Sequence, residues 1–339
     1  MNNPPRIAVS GLMLMASAMT QAVVAFAANL VLVRHMEPAE FGRFAVIQAS
    51  AALVLSILSV RTNTLIIRTP EAEMDFDRRS LLFSVIGWET LLAVLLIGTT
   101  LVATGNVLWT DWCLALALAV NHWTSQNRAF YERNLRFGRL AVLEAVVQLC
   151  GHGLAVLLVL AGIGAASLYL RELFFALVTL AALIGLGVLS FYRFHWLTWD
   201  DWRHVLRDAR GVWLDAMLEN SFARLTLLAV NAGTGLHGAG LFFQAQRLAL
   251  VPQQLLQPFS GRVVAIWFGR TECNGQRRLM RNRLMMVSAP PLILAALLAW
   301  AWADPVVPWV FGAPWAPAAP VLAALGGMIV FLPLFEMLR

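Results

Sequence analysis

Long apolar runs separated by short polar segments dominate the chain. Ten of them fall at 8–33, 43–66, 80–103, 108–127, 139–162, 165–190, 211–231, 240–266, 284–303 and 318–337. Each has the length, about 20 mostly apolar residues, that a helix needs to cross the hydrocarbon of a bilayer. The pattern predicts an all-α integral membrane protein of about ten transmembrane helices, with no room left for a soluble domain. The first run ends in AFAAN (25–29), the form of a signal-peptidase site, but the apolar stretch before it exceeds a signal-peptide core, so it reads as a true span.

The connection between runs six and seven, LTWDDWRHVLRDARGVW, has a different period. Thr198 and Asp201 have the spacing of a capping box, and Trp199, Trp202, Leu206, Ala209 and Trp213 recur every three or four residues. That spacing predicts a helix with one tryptophan-rich face lying on the cytoplasmic leaflet, the alternative being a plain extension of span seven. The expected division is therefore a first bundle of six helices over 1–198, an interfacial linker helix over 199–210, and a second bundle of four helices over 211–339.

Composition supports the membrane assignment. The chain is 60% hydrophobic and only 13% charged, with a mean hydropathy of +0.71. That is too little polar surface for a soluble globule of this size. All 25 basic residues are arginine, and they sort by side. With the amino terminus placed in the cytoplasm, nineteen fall in inner segments and only Arg34 and Arg43 in outer loops, the asymmetry of the positive-inside rule. The arginines form short clusters between spans, which argues against nucleic acid as a partner. Cys113, Cys150 and Cys273 have no paired spacing, so neither a disulfide framework nor a metal site is expected.

A repeat underlies the spans. GRFAVIQA at 42–49 and GLFFQAQR at 240–247 share a glycine, a phenylalanine two places on and a glutamine six places on, at an offset of 198 residues. Both glycines open an even-numbered span after an outer turn, so the two halves start on the same side and the repeat is parallel, about an axis along the membrane normal. Trp112 and Trp315 correspond more loosely. On this offset the second bundle stops after four of six spans, and the expected architecture is two pseudo-repeated bundles of which the second is incomplete.

Several stretches carry a family likeness. LVLVRHMEPAEFGRFAVIQA (30–49) is similar to the first helix, the L-G-P-E-E-Y-G-L-F outer turn and the second helix of the polysaccharide transport, or O-antigen flippase, branch of the multidrug/oligosaccharidyl-lipid/polysaccharide exporter superfamily. GAGLFFQAQRLALVPQQLLQPFS (238–260) resembles that family's G-Y-Y-S-Q-A-Q-R-L-A-x-L-P signature, and DPVVPWVFGAPWAPAAPVLAALG (304–326) resembles the turn before its tenth helix. The resemblance implies two six-helix bundles around a central cavity, and movement of an undecaprenyl-diphosphate-linked oligosaccharide from inner to outer leaflet by alternating access. It implies a multi-pass protein of the bacterial inner membrane whose partners are the lipid-linked oligosaccharide (an O-antigen, capsule or exopolysaccharide unit of lipopolysaccharide or cell-envelope assembly), the bilayer and other polysaccharide-assembly proteins. On this alignment the chain is expected to lack the family's helices eleven and twelve.

Such transport breaks no bond and needs no catalytic residue. It needs cations to replace the hydration of a diphosphate, for which the planar fork of arginine is suited. In span seven, VWLDAMLENSFARLTLLAVN places Asp215 and Glu219 four apart on one face and Asn220 and Arg224 four apart on the next. The functional reading gives Arg224 the diphosphate with Asn220 beside it, and gives Asp215 or Glu219 a coupling cation or proton. An internal salt-bridge network is the structural alternative. Arg247, about 10 Å into span eight, either receives the headgroup or snorkels outward. Arg61 and Arg262 lie near inner ends, as anchors or as the inward mouth of a cavity. Glu89, about 13 Å into span three, is a further ion-coupling candidate. Arg171 and Glu172 point apart and read as structural, and His122 and His152 read as helix-bridging histidines rather than relays.

Other functions remain on the table. A cation-coupled small-molecule exporter would prefer an aromatic, acidic cavity. A membrane glycosyltransferase or polymerase would need outer-loop acids, for which only Glu37 and Glu40 qualify, without a long loop to hold an acceptor. An inactive truncated scaffold is the fourth reading. No cofactor is expected beyond a coupling cation or proton.

Overall fold

The computed structural model describes residues 21–103, 105, 107–133, 137–258 and 274–336, and among them the chain is all-helical. The helices are α1 (Gln21–Arg34), α2 (Pro38–Leu58), α3 (Thr62–Arg68), α4 (Phe76–Ala103), α5 (Trp109–Asn127), α6 (Ala129–Glu132), α7 (Phe137–Leu160), α8 (Ala166–Gly185), α9 (Trp199–Ala249), α10 (Val251–Pro258), α11 (Asn274–Phe311), α12 (Ala318–Ala324) and α13 (Gly326–Glu336). Among the described residues, six helices are long and apolar enough to cross a membrane, seven if the pair α12 and α13, bent by 41°, counts as one span. This is fewer than the ten runs for identifiable reasons. Runs seven and eight merge into one helix, α5 is too polar along its length, and parts of runs one and eight lie outside the described residues.

Two compact units divide the chain, one of residues 43–233 and one of residues 1–42 with 234–339. In the first, α5 packs between α4 and α8, and α7 packs on α8. Its lower core joins Leu65 and Ile66 of α3, Leu82, Val85 and Ile86 of α4, Phe130 of α6, and Val205 and Ala209 of α9. A second cluster stacks Ala51 of α2 on Ala93, Ile97 and Leu101 of α4. Large apolar residues on the remaining faces are exposed, among them Leu91 and Leu95 of α4 and Leu149 and Leu157 of α7. Water would not tolerate such faces at this density, whereas acyl chains do.

The amphipathic segment at 199–210 departs from its expected place. Thr198 and Asp201 do form the capping box, with the Thr198 N–H and hydroxyl donating to Asp201 Oδ2 at 2.8 Å each and the Asp201 N–H returning to Thr198 Oγ1 at 3.3 Å. The helix then runs without a break through 210 into span seven. Its apolar face lies on protein: Val205 and Ala209 are buried, Trp202 and Leu206 pack on the same core, and Trp213 Nε1 donates to the Ile57 carbonyl at 3.0 Å. Trp199 alone keeps the exposed position, beneath Arg203. Packing on this core removes the apolar face from water, and Arg78 anchors the helix through Asp208 at 2.6 Å.

In the second unit the expected outer loop between spans seven and eight is only a kink. Gly235 takes φ 72° and ψ −174°, a backbone open to glycine, and helical geometry resumes at once. The turn aims the Leu236 carbonyl at Gly42. A Cβ at Gly42 would lie 1.8 Å from that oxygen, and one at Gly240 would lie 1.8 Å from the Pro38 carbonyl oxygen. The two glycines of the repeat therefore meet each other, and only their missing side chains let the helices cross this closely. Around the crossing, Phe41 packs edge-on against buried Trp315 at 5.3 Å, and Trp315 Nε1 donates to the Val33 carbonyl at 2.9 Å. Trp112, its loose counterpart in the repeat, is 46% exposed and plays no such part.

The crossing makes a prediction. Gly42→Ala and Gly240→Ala are each expected to lower the unfolding free energy by about 1–3 kcal/mol through overpacking. Gly211→Ala, whose new methyl meets nothing within 4 Å, is expected to stabilise by up to about 1 kcal/mol. Thermal unfolding of the purified variants in one detergent would check the contrast; equal effects at all three positions would remove the crossing from the stability account.

Candidate functional site

In the unit of residues 43–233, α2 stops short of its predicted end. Its helix closes at Leu58, the backbone turns at Ser59–Arg61, and α3 restarts at Thr62. Arg61 occupies the turn with φ 61° and ψ 46°, the sole left-handed non-glycine among the described residues. A left-handed arginine is strained, so neighbouring contacts must hold it there. The contacts come from Glu89, on α4, whose residue is 1% exposed. Its Oε1 accepts the Val60 N–H at 2.9 Å and the Thr62 hydroxyl at 3.2 Å. One turn on, Gln126 Oε1 of α5 accepts the Asn63 N–H at 2.7 Å.

The other carboxylate oxygen of Glu89 faces α5. Its Oε2 lies 3.4 Å from His122 Nε2, and both side chains are nearly enclosed. Neither atom has a hydrogen-bond partner among the described residues. A carboxylate and an imidazole thus meet in an apolar bundle with an unsettled bond between them.

Near the opposite end of α4, Arg43 and Asp111 form an ion pair at 2.6 Å, with Asp111 1% exposed. The same Oδ2 accepts the Leu108 N–H at 2.9 Å, so one carboxylate caps α5 and holds α2. Arg171 and Glu172, expected to diverge, instead pair at 2.7 Å, which gives the buried cation an acid.

Span seven is described for Asp215, Asn220 and Arg224. Asn220 Nδ2 donates to the carbonyl of Ala216, its own helix, at 2.7 Å. Asp215 sits on an exposed face of α9, and the Glu219 side chain lies outside the described residues. Arg224 is half-buried and makes no ion pair or hydrogen bond among the described residues. Two clefts elsewhere mix acids with bases. One, of about 560 Å³, is lined by Glu73, Asp75, Arg78, Arg193, His195 and Asp201; the other, in the second unit, of about 490 Å³, by Arg34, His35, Glu37 and Glu40. Arg224 has no such compensation.

In the second unit Arg247 is tied down. Its Nη1 donates to Asn29 Oδ1 at 2.8 Å and its guanidinium lies over Phe243 at 5.7 Å. Neither snorkelling nor an open cation describes it; it links α9 to α1. Arg262 lies outside the described residues. Of the predicted residues, the structure brings Glu89 and Arg61 to one place and leaves Arg224, Asp215 and Arg247 at separate ones. Sequence reasoning missed His122 as the partner of Glu89 and Asp111 as the partner of Arg43. For Glu89 and His122, an acid in one apolar run and a base in the next was the available signal. Among the described residues, no three His, Cys, Asp or Glu side chains gather as metal ligands.

A family model described as polysaccharide biosynthesis protein matches residues 31–320. The succinoglycan biosynthesis transport protein ExoT of Rhizobium meliloti (strain 1021) is 28% identical over 200 residues, 57% of this chain and 39% of that protein. Solved structures share the fold. The inward-facing conformation of a multidrug resistance MATE family transporter of the MOP superfamily superposes with TM-score 0.51 at 16% identity, over 96% of this chain and 81% of that one. A MATE in complex with MaD3S gives TM-score 0.53 at 15% identity, over 96% and 78%. The chain is a multi-pass membrane protein with a MATE-like fold.

The Arg43–Asp111 pair is testable by a double-mutant cycle. Arg43→Ala, Asp111→Ala and the double variant are expected to show a coupling of about 1–3 kcal/mol in unfolding free energy. Additive effects would mean that the pair contributes nothing beyond its separate parts.

Proposed function

Because the chain belongs to the polysaccharide biosynthesis protein family, we propose that it moves a diphosphate-linked oligosaccharide, carried on a polyprenyl lipid, from the inner to the outer leaflet by alternating access. The observation that carries this reading is Arg224: a half-buried cation in the middle of an apolar helix, with no ion pair or hydrogen bond among the described residues. An arginine kept in apolar surroundings without an acid has lost hydration that a bound phosphate would replace, by two parallel charge-assisted hydrogen bonds. Asn220 lies one turn away and would serve the sugar side of the headgroup. Arg61 and Arg262 belong to the inward mouth, and Arg247 to the support of span eight.

The finer architecture belongs to the same proposal: ten spans, two parallel bundles over 1–198 and 211–339, and a cytoplasmic amino terminus. Asp215, Glu219 and Glu89 are its ion-coupling candidates, in the bacterial inner membrane. No bond is broken, so no catalytic residue or cofactor is required. A second reading, a cation-coupled small-molecule exporter, draws support from the Glu89–His122 contact, which is chemistry for coupling whatever the cargo.

Two outcomes are expected. Cells lacking the protein should accumulate lipid-linked repeat units on the inner leaflet; normal export with no accumulation would defeat the reading. Arg224→Ala, at normal protein level, should lower the rate of flipping by roughly ten- to a hundredfold, the loss expected for about 1.5–3 kcal/mol of charged hydrogen bonding. Arg224→Lys should recover part of it, as a point charge without the fork. Unchanged flipping in Arg224→Ala would take this residue out of the mechanism.

A further inference from the structure

We propose that Glu89 and His122 form a proton-binding site whose occupancy controls the break between α2 and α3. The site rests on the transport reading only for its use, not for its existence. Its ligand is identified by the donor set. Glu89 Oε1 is already engaged by the Val60 N–H and the Thr62 hydroxyl, which leaves Oε2 as the open acceptor. A hard cation such as sodium needs several oxygen ligands, whereas the atom facing Oε2 is an imidazole nitrogen at 3.4 Å. That geometry suits a proton. Both Oε2 and Nε2 lack any other hydrogen-bond partner among the described residues, and both side chains are more than nine-tenths enclosed.

With one proton the pair is a carboxylate and an imidazolium, the proton on Nε2 directed at Oε2, and the net charge inside the bundle is zero. A second proton adds to Oε2 and makes the neutral acid. No bond other than N–H or O–H changes and nothing is oxidised or reduced. The consequence falls on Oε1. As half of a carboxylate it accepts two charge-assisted hydrogen bonds; as part of a carboxylic acid it accepts weaker, neutral ones, about half as strong. Those two bonds hold Val60 and Thr62 on either side of left-handed Arg61. Weakening them frees a strained turn, and the strain then favours rearrangement of the break.

Other ionisable groups on the elements packed around α4 are accounted for. Arg61 sits on the break itself. On the 186–198 segment His195 meets Ser84 at 3.3 Å, about 7.5 Å along α4 from Glu89. Arg78 is held by Asp208 of α9 near the start of α4, and Asp111 of α5 by Arg43 beyond its other end. Among the described residues, His122 alone faces the open oxygen of Glu89 as an ion-pair partner.

The test follows amide hydrogen exchange at residues 60–65 of the full-length protein in lipid nanodiscs, without substrate, across a pH series corrected for intrinsic exchange rates. Wild type should lose protection at Val60 by about tenfold as pH falls, in one step, the loss expected when a charge-assisted bond becomes a neutral one. Glu89→Gln should show the unprotected level at every pH, and His122→Gln should move the step to another pH. Thr62→Val, which keeps both titrating groups, should lower protection but keep the step, and it serves if Glu89→Gln fails to fold. A wild-type step that persists in Glu89→Gln, or no step at all, overturns the proposal; so does a step that follows sodium at fixed pH. Flipping of the lipid-linked saccharide, measured separately in vesicles, stands or falls without altering this result.

Discussion

The constraint from which the rest follows is that a chain this apolar must satisfy its own backbone wherever a helix breaks. No water in the hydrocarbon accepts the freed N–H and C=O groups. The polar side chains buried in this protein are largely spent on that task. Glu89 accepts the Val60 N–H and Gln126 that of Asn63, where α2 gives way to α3. Trp213 donates to the Ile57 carbonyl just before the same break, and Arg133 to that of Ile66. Asn127 bonds both the N–H and the carbonyl of Ser190 in the irregular stretch after α8. In the other unit Arg34 bonds the Trp309 and Val310 carbonyls at the end of α11. Each break is thus held by side chains from other elements, and each such side chain becomes hard to replace.

Several buried polar atoms do not serve the backbone, among them atoms of Ser80, Asn231 and Gln244, and two charged positions, Glu89 and Arg224, are the ones the proposals rest on. Glu89 serves the backbone with one oxygen only; the other faces His122. Arg224 serves no backbone group among the described residues. An unsaturated buried polar group costs several kcal/mol, and a buried charge costs more than a neutral group such as the Gln244 amide. In the two proposals a proton is assigned to Glu89 and an anion to Arg224. Arg247 and Arg171 show the opposite, since each cation has a nearby acceptor and reads as structural.

The repeat was readable as a repeat before anything was known of its purpose. Gly42 and Gly240 stood out by spacing, yet nothing in the spacing said that they touch. Their contact depends on the kink at Gly235, which replaces a loop by a single residue and swings the Leu236 carbonyl to within contact of Gly42. The amphipathic stretch at 199–210 teaches the same lesson from the other side. Its capping box forms and its three-four period places Val205 and Ala209 on a protein core, a partner that the period alone does not name, because a tryptophan face fits a leaflet and a helix bundle equally well.

The sequence by itself determined the class of the molecule. Apolar runs of span length, charge concentrated in the segments between them, and helix starts such as Thr198 and Asp201 are local properties, read from neighbours a few residues apart. Even the merged spans seven and eight kept the glycine that marks their junction. Only the tertiary structure decided which polar residue meets which. Val60 and Glu89 are 29 positions apart, Arg43 and Asp111 68, and Val33 and Trp315 282. Hydropathy marks the apolar stretches but neither where each helix stops nor its rotation about its axis, and that rotation chose His122 for Glu89 and Asn29 for Arg247 while leaving Arg224 without an acid among the described residues.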